Sequence, residues 1–164
     1  MKDVPVSEAG ELVPWLRQRV RERMETARKA CERTDGHWWR RTEPYGDGTS
    51  EPAGHLYAGE RIADGDGGTW GGEFTVVYDE GAPSREQFEH MEANDPRDVI
   101  ARCEAELALL DEHGPFDPES DWLRDFCATC GHLDRNRVAF PCRTVRLVGH
   151  GYRFRPGYSE AWRP

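Results

Sequence analysis

Cys127-Ala128-Thr129-Cys130-Gly131-His132, followed by Phe140-Pro141-Cys142, is the stretch that decides how the C-terminal part of this chain is organised. A Cys-x-x-Cys pair lets two thiols reach one ion from a single tight turn, and Cys142 brings a third after 11 intervening residues. This is the layout of a zinc knuckle that lacks one ligand. Four histidines compete to complete it: His113, His132, His150 and His90. His132 follows Cys130 so closely that reaching the ion would strain the turn. His150 lies eight residues past Cys142, which on a helix is a rise of about 12 Å. His113 meets no such objection. The expected ligand set is therefore His113, Cys127, Cys130 and Cys142 around a structural zinc, with His132 as the alternative fourth ligand.

Working outward, 164 residues fit one domain, 1–164, that can bury about two-thirds of its unfolded surface. Hydrophobic residues make up 37% and charged residues 32%, with 17 glycines, so the core must come from a few segments joined by polar connections. The net charge of −9 and pI near 5.2 repel phosphate and anionic membrane surfaces. Lys2 and Lys29 are the only lysines, a skew that fits a GC-rich genome. We find no signal-peptide pattern and no apolar run of the roughly 20 residues that span a bilayer, so a cytoplasmic location is expected. In a reducing compartment, an odd count of five cysteines favours metal over disulfides.

From Glu11 to Cys31, Leu12, Leu16, Val20, Met24, Ala27 and Cys31 recur at helical spacing, with Trp15 widening the stripe. Pro14 suits a first turn, which places the helix start near Leu12, with Ser7 as a possible earlier cap. Cys31 and, later, Cys103 fall on apolar stripes and read as core thiols. After Thr34-Asp35-Gly36 the pattern becomes strand-like at His37–Arg40, His55–Ile62 and Glu73–Tyr78, which predicts a small antiparallel meander within 37–80. Tyr45–Gly48 and Asp64–Gly68 read as acidic turns; the second resembles a calcium loop but lacks the twelfth-position ligand.

Ser84 caps a short helix, and Asp95-Pro96-x-Asp98 starts a longer one, expected over Pro96–Glu112 and carrying Val99, Ile100, Cys103, Leu107 and Leu110 inward. Gly114-Pro115 ends it just after His113. Arg143–Val148 reads as a short helix stopped by Gly149 and Gly151. Tyr152, Phe154 and Trp162 read as an extended strap over the core. The fold class is α+β: two main amphipathic helices on a small antiparallel β-meander, with a C-terminal zinc knuckle and short helix. Within the one domain these occupy 1–33, 37–80, 84–113 and 114–164.

Several stretches carry a resemblance to a known family. They are Glu89-His90-Met91-Glu92-Ala93-Asn94-Asp95-Pro96-Arg97-Asp98-Val99-Ile100, Leu110-Asp111-Glu112-His113, Cys127-x-x-Cys130, Pro141-Cys142-Arg143-Thr144-Val145-Arg146-Leu147, and Tyr152 with Pro156-Gly157-Tyr158-Ser159-Glu160-Ala161-Trp162. Through them the chain resembles an uncharacterised family of small proteins from Streptomyces-type actinobacteria and their phages. It departs from that pattern where Asn94 replaces a common histidine, in the acidic Gly-rich insertion, and at Gly149-His150-Gly151. The resemblance implies the architecture and the metal candidates; it brings no activity with it.

For function, no nucleophile, base and orienter come together in the sequence, so no catalytic residue is expected and an enzyme is disfavoured. The first reading is a zinc-stabilised interaction or regulatory protein that binds an unidentified protein partner. A nucleic-acid role through Arg135, Arg137, Arg143, Arg146, Arg153 and Arg155 is the alternative, opposed by the net charge. A zinc hydrolase or deaminase is less favoured, because no Pro-Cys-x-x-Cys with an upstream His-x-Glu is present.

Overall fold

The structure, a computed structural model, describes residues 8–32, 34–42, 54–59, 61–63, 69–71, 74–77, 84–131 and 137–164. In order, the elements are α1 (Glu8–Ala30), β1 (Trp38–Thr42), β2 (Gly54–Ala58), β3 (Arg61–Ala63), β4 (Thr69–Gly71), β5 (Phe74–Val77), α2 (Arg85–Glu92), α3 (Pro96–Glu112) and α4 (Arg143–His150), with 3-10 turns at Leu123–Asp125 and Glu160–Trp162. This is an α+β arrangement. The chain divides into two compact units: Met1–Arg23 with Cys103–Pro164, and Met24–Arg102. No described helix is long and apolar enough to cross a membrane.

In the first unit, Leu12, Leu16 and Val20 are buried one helical turn apart on α1, the face predicted from their spacing. Cys103 and Leu110 of α3, Val145 of α4, and Tyr152 and Trp162 of the tail are buried with them. Arg17 pairs with Asp111 at 2.6 Å and Arg23 with Glu106 at 3.7 Å, joining α1 to α3. The Tyr152 hydroxyl donates to the Glu106 carboxylate, and burial pushes its pKa up to about 12.

Two helix boundaries differ from expectation. α1 begins at Glu8, so Pro14 sits inside it and removes the bond that would reach the Gly10 carbonyl; the buried stripe carries the helix through. α4 does not stop before Gly149 but runs to His150. A Cβ at Gly149 would lie 2.9 Å from Leu12 Cδ1, so glycine is there for close packing on α1 and not as a terminator. Ser7 lies outside the described residues.

The tail also differs, since it folds in turns and is not an extended strap. Trp15 Nε1 donates to the Pro156 carbonyl at 3.2 Å, and the Trp15 ring lies 5.1 Å from that of Trp162. Gly157 has φ +85°, and a Cβ on it would fall 2.9 Å from Trp15 Nε1. Tyr152 and Trp162 are buried as expected. Phe154 is 85% exposed and covers nothing; the Arg153 guanidinium lies 4.4 Å above its ring.

In the second unit, the sheet has order β1-β2-β5, all antiparallel, and β3-β4 form a separate two-stranded hairpin between β2 and β5. The run expected over His55–Ile62 thus breaks at Gly59, whose φ is +112°. Trp39, buried and opposite Tyr57, stacks on it at 5.1 Å and donates to the Gly59 carbonyl at 3.1 Å. The turns at Tyr45–Gly48 and Asp64–Gly68, and Tyr78, lie outside the described residues. It is the short α2 that lies against β1 and β2, with Phe88 buried. Ser84 caps α2 in a full capping box with Gln87.

Asp95 caps α3, accepting from the Asp98 amide at 2.8 Å. It also accepts from the Trp38 amide at 3.4 Å and lies 3.1 Å from His37 Nδ1. Arg97 Nη2 is 3.0 Å from the same ring nitrogen, and the Arg97 amide donates to the Gly36 carbonyl at 3.3 Å. The start of α3 is thereby tied to the start of β1. Cys31 is half-buried just past the end of α1, not within the core stripe, and its sulfur fills the space a side chain at Gly36 would need.

Candidate metal centre

Three segments of the first unit converge on one point. α3 ends at Glu112 and leaves His113 as the first residue of a turn. The next segment returns antiparallel, with Pro115 bridging Cys127 and Phe126 bridging Ala139. The Ala128 amide donates to the Gly114 carbonyl at 2.9 Å and the Cys127 amide to Val138 at 2.8 Å. The Gly131 amide closes the knuckle on the Cys127 carbonyl at 3.3 Å. Thr129 Oγ1 donates to the Glu112 carbonyl, anchoring the turn to the last residue of α3. Cys142 then stands at the N-cap of α4.

His113 Nδ1 lies 3.7 Å from Cys127 Sγ, 3.3 Å from Cys130 Sγ and 3.6 Å from Cys142 Sγ, and all four donor atoms fall within 4.8 Å of one another. A ring nitrogen has one proton or one lone pair, so it can make one good hydrogen bond, not three. The distances have a simpler origin. In a tetrahedron with Zn–S of about 2.3 Å and Zn–N of about 2.0–2.1 Å, each N···S edge is about 3.6 Å. The four residues fit a metal ion held through Nδ1.

The electrostatics agree. Burial, followed by the neighbouring Cys142 and Cys127 thiols, pushes Cys130 up to about 11. Burial also raises Cys142, but the Val145 and Thr144 amides at the start of α4, together with the Cys127 and Cys130 thiols, outweigh it and bring its pKa below the ordinary cysteine value. Thiols packed this closely cannot all ionise cheaply beside one another, and a divalent cation among them removes that repulsion. Cys127 and Cys142 are buried; His113 and Cys130 are half-buried and form the edge nearer solvent.

All four residues singled out from the sequence are thus brought together. His132 lies outside the described residues. His150 stands at the far end of α4, with Nδ1 3.2 Å from the Tyr158 hydroxyl. His90, on α2, has Asn94 Nδ2 at 3.4 Å from its ring and 2.7 Å from its carbonyl. Cys31 and Cys103 are not in the cluster. Sequence reasoning missed Thr129, although a hydroxyl inside Cys-x-x-Cys is a signal for a side-chain bond that braces the turn.

A model of a family of unknown function (DUF6221) matches residues 9–164. No curated protein and no solved structure matches the chain.

Proposed function

We propose, from the premise that this chain belongs to that family of unknown function, that it is a zinc-stabilised interaction or regulatory protein acting on a protein partner. His113, Cys127, Cys130 and Cys142 would hold the zinc. The observation that carries this reading is the donor set itself: three sulfurs and one imidazole nitrogen within 4.8 Å. Soft donors in this number suit zinc, and four of them fill its tetrahedron. Catalytic zinc keeps a position for water or substrate, so a filled shell supports a structural role over a hydrolase. The ion would join the end of α3, the knuckle and the start of α4, at an apparent binding energy of roughly 10–16 kcal/mol. Thiolates kept as ligands also suit a reducing compartment such as the cytoplasm.

Of the six arginines that could favour nucleic acid, three make contacts within the chain, and Arg135 lies outside the described residues. Arg146 donates to the Pro141 and Ala161 carbonyls, each at 3.2 Å, and Arg153 to His150 at 3.2 Å. Arg137 stacks on Trp122 and Phe126. Together with a net charge of −9, this supports a protein partner over a phosphate backbone.

Elemental analysis of the purified chain, paired with X-ray absorption at the metal edge, tests the reading. One zinc per chain with a three-sulfur, one-nitrogen shell is expected. Metal-free protein with Cys127, Cys130 and Cys142 open to alkylation, or a shell containing bound water, would sink it.

A further inference from the structure

The chain between the first two donors forms a loop whose exposed rings serve neither the core nor the metal. Its base is pinned: the Phe116 amide donates to the Phe126 carbonyl at 2.8 Å, and the Phe140 amide to Asp125 at 2.9 Å. Phe126 is next to the donor Cys127, so whatever fixes Cys127 also fixes the loop base. With Pro115 bridging Cys127, Phe116 stands opposite Phe126. The Trp122 ring meets that of Phe126 edge-on at 6.4 Å.

Phe116 is 43% and Trp122 53% exposed, although burial of rings this size is strongly favoured. The chain itself indicates what these rings accept. The Arg137 guanidinium lies 5.3 Å from the Trp122 centroid and 5.5 Å from that of Phe126, within cation–π range. The surrounding charge is complementary to a cation: residues 116–125 carry Asp117, Glu119, Asp121 and Asp125 against Arg124 alone. The Asp121 side chain is 97% exposed even with Arg124 3.6 Å away.

We infer that this loop is a docking site for an arginine-bearing, positively charged segment of a protein partner. A partner guanidinium stacks on the open part of Trp122, an adjoining apolar side chain covers Phe116, and the carboxylates steer the segment in. Arg is favoured over Lys because a planar guanidinium stacks where an ammonium cannot. Phosphate-bearing partners are repelled by the same carboxylates. The inference names the partner chemistry of the proposed function and rests on that reading, since the metal donors hold the loop base.

The test titrates the zinc-loaded full chain against a short fluorescent peptide alternating arginine and leucine, with lysine- and glutamate-substituted peptides and single-stranded RNA alongside. Saturable binding of the arginine peptide is expected, weaker for lysine and absent for glutamate. Trp122→Ala should weaken it roughly ten-fold with metal content unchanged. Arg137→Gln, which removes the chain's own guanidinium from the rings, should tighten binding more than Arg155→Gln, which removes the same charge from the tail. Absent binding, equal binding by Trp122→Ala, equal effects of the two arginine changes, or a preference for RNA would each overturn the inference. A chain that purifies without zinc and cannot be loaded with it, yet binds with the expected ranking, would defeat the metal reading and leave the docking site standing.

Discussion

His113 leaves the end of α3 with Nδ1 at 3.3–3.7 Å from three sulfurs, and its removal would leave three thiolates to share a cation without the fourth donor. His113→Ala should lower zinc affinity by more than about 100-fold, since loss of an outer partner to a ligand already costs 10–100-fold. Competition with a chromophoric chelator measures this. His150→Ala, whose ring meets Tyr158 instead, should leave zinc retention unchanged; a larger loss from His132→Ala than from His113→Ala would refute the assignment. The donors were legible because two thiols at Cys-x-x-Cys spacing can reach one ion from a single tight turn. Phe154 was not legible in the same way. A large apolar residue in a tail has no spacing pattern to say whether it is buried, and here it stays 85% exposed with only the Arg153 guanidinium over its ring.

At the level of elements, α2 and α3 begin where their caps predict, because Ser84 with Gln87, and Asp95 with Pro96 and Asp98, satisfy free amides locally. The start of α1 and the end of α4 differ from expectation for a shared reason: Pro14 and Gly149 disfavour helix by local propensity, and packing overrides it. Gly149 allows α4 to approach Leu12 and Leu16. Gly149→Ala gains about 1 kcal/mol of helix propensity. Against this stands a Cβ placed 2.9 Å from Leu12 Cδ1, and crowding a filled core costs about 1–3 kcal/mol. Leu12 is fully buried, so its Cδ1 must shift against packed neighbours, and a net loss of about 1 kcal/mol is expected in urea unfolding followed by circular dichroism. A gain in stability would show that Leu12 can repack. The break at Gly59 and the separate β3-β4 hairpin were equally hidden, because strand runs specify a face and not a partner.

Across the whole molecule, the two compact units rest on different chemistry. The first gathers the four candidate metal donors. The second contains a buried carboxylate, Asp95. Burial raises its pKa, but the Asp98 amide, His37, the Trp38 amide and Arg97 together outweigh that and hold it below the ordinary 3.8. Since its folded pKa is depressed, its contribution is present above about pH 4 and fades as pH falls through the folded value. Acid unfolding followed by hydrogen exchange at residues 34–42 and 95–102 should show this loss. Asp95→Ala should cost roughly 1.5–3 kcal/mol at neutral pH, the range for hydrogen bonds to a charged group, and should flatten the acid limb; an unchanged limb would locate the titration elsewhere. By itself the sequence determined the class, the helix faces, the caps and the kinds of donor, because these depend on neighbours within a few turns of chain. Only the tertiary structure decided that His113 meets Cys142 across 29 residues, that Gly149 is a packing surface, and that Phe116 and Trp122 stay in water beside a clamped turn. Coordination, close approach and exposure are relations in space between distant segments, and residue spacing along a chain does not encode them until the segments have packed.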